Sequence, residues 1–546
     1  MRLVPYLRRT LRVAALTAEF AVSFAFARVA ESDRRPRLLK RYFERAGAGF
    51  VKLGQVLATR YDLLPAAYCE ELATLLDRLP ASDVRAIVQT IEEDLGRPVE
   101  ELFREFDPEP LSSASVAQVH AATLATGERV VVKVMHPGVD TNYRIDLRNL
   151  RYFASVASYF GLLHRVDVAA LVREFERLAL EELDFLHEAR NIHVLHELLE
   201  SDDIDHCGPG VYLELSGRSV ITMQRLDGVW VREMLEAIAR GDAERLREWR
   251  RMGITPGRTA RLLFRSMLEQ CFTHRIFHAD PHAGNLVVMP GGTLGYVDFG
   301  MVGWMDERLW TEQYALNEAI ARGNIHQAYE ALLDTLEPLP DRDLSHFETE
   351  VKALLMEWIF ATKVPGTPIE DRASATLFLR LFGLMRWAGL HMRLGSLRLS
   401  RALMISDVIA LKLYPEMDRM TELVTYFNER AQTEFTNALH KQLSGTGLYS
   451  TALGLNSAVE TLPRAARWLV KRLPEYGRRY EAAWSMSERV AMMVIRYLRN
   501  TAALAVVALV GGGLAGAFGE WWWWVAVASL ITALLLGRIL SEFEET

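Results

Sequence analysis

The stretch FHADPHAGNLVVMPGGTLGYVDFG, residues 277–300, places His278, Asp280, His282, Asn285 and Asp298 in one short segment that ends in Asp-Phe-Gly. Side chains of these types are proton acceptors, hydrogen-bond partners or ligands for a cation, so the segment reads as a site for chemistry. Asn285 follows Asp280 by five residues, and Asp298 follows Asn285 by thirteen. An HxDxH pattern suits a metallohydrolase, but that alternative assigns nothing to Asn285 or Asp298. What the site does depends on what the rest of the chain supplies.

Working outward, VAQVHAATLATGERVVVKVM (116–135) alternates and is rich in β-branched residues, with Thr126-Gly127 between its halves, which predicts a hairpin. Residues 37–105 carry apolar side chains at helical spacing. A long helical pattern covers 141–200, a strand pair is expected around GVYLELSGRSVITMQRL (210–226), and helices follow over 231–274. From 306 to 499 nearly everything reads as helix. A β-rich unit with a lysine on its third strand, an acidic helix, and a helical unit carrying HxD…N and Asp-Phe-Gly is the layout of a two-lobed, protein-kinase-like α+β fold. Phosphoryl transfer needs a lysine on the phosphates, a glutamate to hold that lysine, and carboxylate and amide ligands for magnesium. Lys133 in VVVKVM, flanked by valines and in need of a partner, is the strand lysine, and Glu188 is its expected partner. Asp280 takes the place of the catalytic-loop aspartate, with Asn285 and Asp298 as magnesium ligands. His278 is expected to brace the loop; His282 is open.

The motifs now become specific. Lys52-Leu53-Gly54-Gln55, SSASVAQVH (112–120), VVVKVMHPGV (130–139), EELDFLHEARN (181–191), HADPHAGN (278–285) and VDFG (297–300) occur in order, and in them the chain resembles the UbiB/AarF family of atypical, kinase-like membrane proteins. Lys52, Gln55 and Thr59 share a helix face on spacing alone. The resemblance implies that this helix lies over the active site, with Lys52 meeting Glu182 or Asp184 of the ExD motif. Such a pair would oppose protein phosphorylation and favour ATP hydrolysis or a small lipid-like substrate. Ala114, Ser115, Val116, Ala117 and Gln118 would form the phosphate loop, and Met223, Gln224 and Arg225 the hinge around adenine. Alanines where kinases carry glycine make a stiffer loop. The implied cofactors are ATP or ADP and Mg2+, and the implied role is support of isoprenoid-quinone (ubiquinone) biosynthesis. Membrane lipids, quinone precursors and quinone-biosynthesis enzymes are the expected partners. The alternatives are a small-molecule or lipid kinase of the aminoglycoside or choline phosphotransferase type, and a non-catalytic, nucleotide-gated scaffold.

Composition bounds the rest. The 546 residues are 50% hydrophobic and carry a net charge of −7, which offers no global basic field to nucleic acid. Cys69, Cys207 and Cys271 are far apart and outside any CxxC spacing, which points to free thiols. The expected organisation is a basic amphipathic segment (1–36) on the membrane or on the protein itself, a helical extension (37–110), lobes at 111–225 and 226–340, and a helical region (341–496). Two apolar segments within 497–540, with Glu520 and a run of four tryptophans between them, predict a transmembrane hairpin; a buried core hairpin is the alternative. Arg496, Arg499 and Arg538 put both outer ends on the cytoplasmic side, and a hairpin with no obvious transit peptide favours a bacterial inner membrane over a mitochondrion. A homodimer is an open assembly.

Overall fold

The computed structural model describes residues 3–26, 34–58, 60, 64–75, 81–114, 116–159, 168–337, 343–364 and 366–443. The chain divides into two compact units, Met1–Asn428 and Glu429–Thr546, and the account below concerns the first. The expected hairpin at 497–540 and the helical region beyond 443 lie outside the described residues. Among the described residues no helix is long and apolar enough to cross a membrane.

The N-terminal third is helical as its periodicity implies: α1 (Leu3–Phe26), α2 (Arg34–Ala46), α3 (Ala48–Ala58), α4 (Ala66–Ala73), α5 (Val84–Leu95) and α6 (Val99–Leu102). The basic segment lies on the protein along one side of α1. Arg9 grips the buried Asp146 with two nitrogens, Nε at 2.9 Å and Nη2 at 2.7 Å, a fork that matches a carboxylate. Gly54 in α3 admits close helix packing, because a Cβ there would stand 2.7 Å from the Phe43 ring and would strike Leu75.

The first lobe is a four-stranded sheet. It contains β1 (Glu105–Ser113), β2 (Ala117–Thr123) and β3 (Arg129–Met135), and, after the short β4 (His206–Cys207) of another sheet, β5 (Val220–Gln224), in the order β1-β2-β3-β5. The predicted hairpin is β2–β3, with Gly127 at φ 90 in its turn. Because strand side chains alternate, Val130, Val132 and Val134 are wholly buried against α5 while Lys133 faces the opposite side. Two expectations need correction. The sheet begins at Glu105 rather than at 111: Pro108 and Pro110 argue against a strand, yet β1 is an irregular edge strand, where proline is tolerated. Only β5 of the expected strand pair forms. Leu213–Leu215 is a 3-10 turn, because Ser216 Oγ donates to Tyr212 O at 2.8 Å and accepts from Thr222 N at 3.1 Å, which competes with the ladder.

The long helical pattern breaks into α7 (Val139–Tyr159), α8 (Val168–Glu181) and α9 (Phe185–Glu200). The second lobe carries β6 (Val229–Trp230), α10 (Val231–Arg240), α11 (Ala243–Arg251), α12 (Pro256–Leu268) and a π-helical turn at Glu269–His274. After that turn come β7 (Ile276–His278), β8 (Leu286–Val288), β9 (Leu294–Tyr296) and β10 (Val302–Trp304). β4, β9, β8 and β6 form one small sheet, and β7 pairs with β10. Helices α13 (Glu307–Ala321), α14 (Ile325–Asp334), α15 (Ser345–Lys363), α16 (Ile369–Arg372), α17 (Ser374–Ala388), α18 (Leu394–Leu413) and α19 (Arg419–Leu443) follow. α18 packs along α12, which brings a distant part of the chain beside the catalytic loop. The three cysteines are free thiols, and Cys69 and Cys271 are buried.

Candidate functional site

Strand alternation aims Lys133 between the lobes, where its Nζ lies 2.6 Å from Glu188 Oε1 and 3.5 Å from Asp298 Oδ1. The Phe185 ring lies under the ammonium at 5.3 Å. Glu188 is only 6% exposed and sits in the first turn of α9, whose N-terminus is capped by Asp184 through a 3.1 Å bond from His187 N. Burial alone would depress the Lys133 pKa, but the charges of Asp298 and Glu188 outweigh it and raise it well above the ordinary lysine value. Burial pushes Glu188 up, and Lys133 opposes that push. Lys133 holds Asp298 well below the usual carboxylate range, assisted by the Gly300 N–H at 3.0 Å.

The catalytic-loop segment is held by His278, which is buried and packed between Tyr296 and Phe299. Burial pushes its pKa down, so the ring is neutral. Nδ1 accepts from Asp280 N at 3.2 Å and Nε2–H donates to Asp298 O, which ties the two aspartate positions together. Asn285 Nδ2 donates to Asp280 O at 3.2 Å, which leaves its carbonyl oxygen for another partner. His282 is exposed and accepts from Gly284 N at 3.0 Å, a local turn contact. Asp280 Oδ1 receives Arg401 Nη2 of α18 at 3.0 Å.

The helix carrying the KxGQ motif meets the same cleft. Lys52 Nζ lies 2.8 Å from Glu182 Oε1, while Asp184 is occupied as the cap of α9. Gln55 lies half-buried on α3, and Thr59 falls outside the described residues. Glu182 Oε2 is buried with no hydrogen-bond partner, an acceptor that a cation or water would satisfy. Asn285 Oδ1 and the half-exposed Asp298 carboxylate are hard oxygen donors. Among the described residues no group of three or more His, Cys, Asp or Glu side chains would hold a metal by itself. Mg2+ takes one or two carboxylates and completes its shell with phosphate and water, so Asn285 and Asp298 are the groups that could hold it beside a phosphate.

The alanine-rich loop is fixed by its own lobe. Ala114 N donates to Ala117 O at 2.8 Å, His136 Nε2 lies 3.0 Å from Ala114 O, and His136 N donates to Val116 O at 2.8 Å. Val116 and Ala117 are buried, and Ser115 lies outside the described residues. Gln118, expected at the nucleotide, is corrected: its side chain turns into the lobe, accepting from Ser82 N at 2.7 Å and meeting His120 Nε2 at 2.8 Å. Strand alternation is the reason, since Gln118 and Lys133 are one register step apart across β2–β3 and face opposite sides. Met223 is buried at the end of β5, Gln224 Oε1 accepts from Gly210 N at 3.3 Å, and Arg225 Nε donates to Asp227 at 3.0 Å. The main-chain N–H groups of Gln224 and Arg225 are bonded to Gly210 O and Arg129 O, so both are already taken.

Of the residues the motifs point to, Lys133 meets Glu188 and Asp298, Lys52 meets Glu182, and Asp280, bonded to Asn285, is tied to Asp298 through His278. Arg401 was missed, because it lies 121 residues from Asp280 in a largely buried helix with no local signal.

An ABC1 atypical kinase-like domain matches residues 74–332. A protein of Azotobacter vinelandii described as probable protein kinase UbiB is 30% identical over 513 residues, covering 91% of this chain and 88% of the relative. A protein of the same description from Pseudomonas fluorescens is 31% identical over 497 residues, covering 88% of this chain and 86% of the relative. A solved structure described as the complex of Rv3197 with erythromycin from Mycobacterium tuberculosis matches with a TM-score of 0.43 and 20% identity over 67% of this chain and 91% of that one, too slight a likeness to build on. With sequence similarity along most of its length, the chain belongs to the ABC1 atypical kinase-like family that includes the UbiB proteins.

Proposed function

We propose that this protein is a membrane-anchored atypical kinase that binds Mg-ATP and Mg-ADP and hydrolyses ATP in support of isoprenoid-quinone (ubiquinone) biosynthesis. The observation that carries the reading is Lys133 held between Glu188 and Asp298 in the cleft that also contains Asp280 and Asn285. Lys133 is charged at any physiological pH and is aimed where phosphates would lie. Asn285 and Asp298 would hold Mg2+. Magnesium, when bound, supplies charge neutralisation on the phosphate oxygens. Asp280 would orient an attacking water or hydroxyl through the carboxylate that Arg401 now contacts. The Lys52–Glu182 pair would oppose a peptide substrate and favour water or a small lipid-like acceptor. Membrane anchoring rests on the apolar segments at 497–540, and turnover would serve to extract or present greasy quinone precursors to soluble enzymes.

The test is Mg-dependent phosphate release from ATP by the full chain in detergent, with and without quinone-precursor analogues and anionic lipid, beside Asp280→Asn and Asp298→Asn. Release that is stimulated by lipid and lost in both variants supports the reading. The Arg401–Asp280 contact favours one competitor, a nucleotide-gated scaffold without turnover. Nucleotide binding with no phosphate release under any condition would favour it.

A further inference from the structure

Behind the catalytic loop runs a buried hydrogen-bond chain that the nucleotide site does not use. Gln270, fully buried in the π-helical turn, accepts from the main-chain N–H of His278 at 2.9 Å and donates through Nε2 to Ser266 Oγ at 3.0 Å. Ser266 Oγ also lies 2.7 Å from His206 Nδ1 and 2.8 Å from Tyr296 OH. Burial raises the Tyr296 pKa, so this phenol stays protonated. His206 Nε2 lies 2.9 Å from Asp202 Oδ2, and His274 Nε2 reaches Asp202 Oδ1 at 2.8 Å. The chain thus begins at an Asp–His pair near the surface and ends on the main chain of His278. The His278 ring in turn holds Asp280 N and Asp298 O.

Three features set Gln270 apart from ordinary core. Its neighbours Leu268, Cys271 and Phe272 are apolar, so a carboxamide there costs free energy unless it is fully bonded, and a hydrophobe would fill the space more simply. It lies in a π-helical turn, a rare form that is frequent at functional sites. Arg275, immediately after that turn, is the one described non-glycine residue at positive φ, 61, just before β7 carries the chain to His278. L-residues rarely adopt this backbone conformation. Contacts of Arg275 with Trp310 and Glu307 help to hold it.

We propose that Gln270 is a positioning residue for the phosphoryl-transfer site, fixed by the Asp202–His206–Ser266 chain. Its carboxamide oxygen sets the height of His278, and His278 transmits that position to Asp280 and to Asp298 together. The proposal deepens the nucleotide reading and rests on it for the identity of the reaction. Gln270 touches no substrate atom, so its loss acts on the relative placement of the two aspartates and not on nucleotide affinity.

The test compares Gln270→Met, which keeps the volume and removes both bonds, with Gln270→Glu, which keeps an acceptor for His278 N, in the full chain in detergent. For the Met variant, amide exchange in a peptide spanning 276–285 should quicken. Its kcat for ATP hydrolysis should fall roughly 10- to 100-fold, as for lost outer-shell partners of a metal site, with KM little changed. The Glu variant should retain most of the wild-type kcat and exchange protection. A folded Met variant with wild-type exchange and kcat overturns the proposal. If the Met variant does not fold, Ser266→Ala decides by the same readouts in weaker form. Wild-type protein that shows no turnover sinks the ATPase reading, while the exchange comparison still tests the positioning of His278.

Discussion

Arg401 Nη2 lies 3.0 Å from Asp280 Oδ1, so a guanidinium from α18 occupies the carboxylate placed to orient the attacking group. Both side chains are partly open to water, so the pair contributes little to stability, under about 1 kcal/mol. Its effect falls on chemistry. Arg401→Met should release Asp280 and raise basal phosphate release by roughly 3- to 10-fold, less than a fully buried charge-assisted hydrogen bond would control because the pair is partly open to water. Adding Asp280→Asn should abolish that gain. A steady-state phosphate assay of the single and double variants checks both.

The buried Lys133–Glu188 pair supports a double-mutant cycle. Removing Lys133 leaves the buried Glu188 unmatched, which costs about 3–5 kcal/mol; removing Glu188 leaves Lys133 with Asp298 and costs less, and removing both costs less than the sum. Lys133→Met and Glu188→Leu should each lower Tm by several degrees, and the double variant should recover part of that loss while binding no nucleotide. Asp298 remains beside the vacated position, so recovery is incomplete.

Gly54 tests the fit of the α3 helix. An alanine there pushes a Cβ against Phe43 and Leu75, and overpacking of this kind costs typically about 1–3 kcal/mol. Gly54→Ala should lower Tm and speed proteolysis between α3 and α4. The Lys52–Glu182 contact, carried by the same helix, should loosen with it.

Asp202 gives a pH dependence with a defined sign. Burial would raise its pKa, but hydrogen bonds from His206 and His274 outweigh burial and hold it at about 2, against 3.8 in its ordinary state. A depressed carboxylate stabilises the fold fully above its unfolded value, and the stabilisation is lost as pH falls through the folded one. Asp202→Asn should therefore flatten the dependence of Tm on pH between about 4 and 2 and should lower stability at pH 5 by on the order of 1–2 kcal/mol after solvent screening. Thermal melts across that range measure it.

Much of the site was legible because its residues sit in local patterns. The valine-rich strand pattern of VVVKVM marked Lys133 as a strand lysine in need of a partner, and the spacing of HADPHAGN and VDFG singled out Asp280, Asn285 and Asp298, which the fold places on loops joined by short strands. Alternation in that strand, followed one strand further, would have turned Gln118 away from the nucleotide. β1 was hidden by its prolines, and the strand expected at GVYLEL lost to Ser216's own hydrogen bonds. Arg401 and the Gln270 chain were not legible. Each depends on packing between segments far apart in sequence, α18 against α12 and β4 against β9, which no local period encodes.

The central claim is that Lys133 and Asp298 form a magnesium-dependent nucleotide site. The most direct measurement is equilibrium binding of a fluorescent ATP analogue to the full chain in detergent, with Mg2+ and with chelator, for wild type, Lys133→Met and Asp298→Asn. The account predicts saturable binding that tightens with Mg2+ in the wild type, loses its Mg2+ dependence in Asp298→Asn, and disappears in Lys133→Met. Binding equal in all three proteins, or none by a folded wild type, would contradict it.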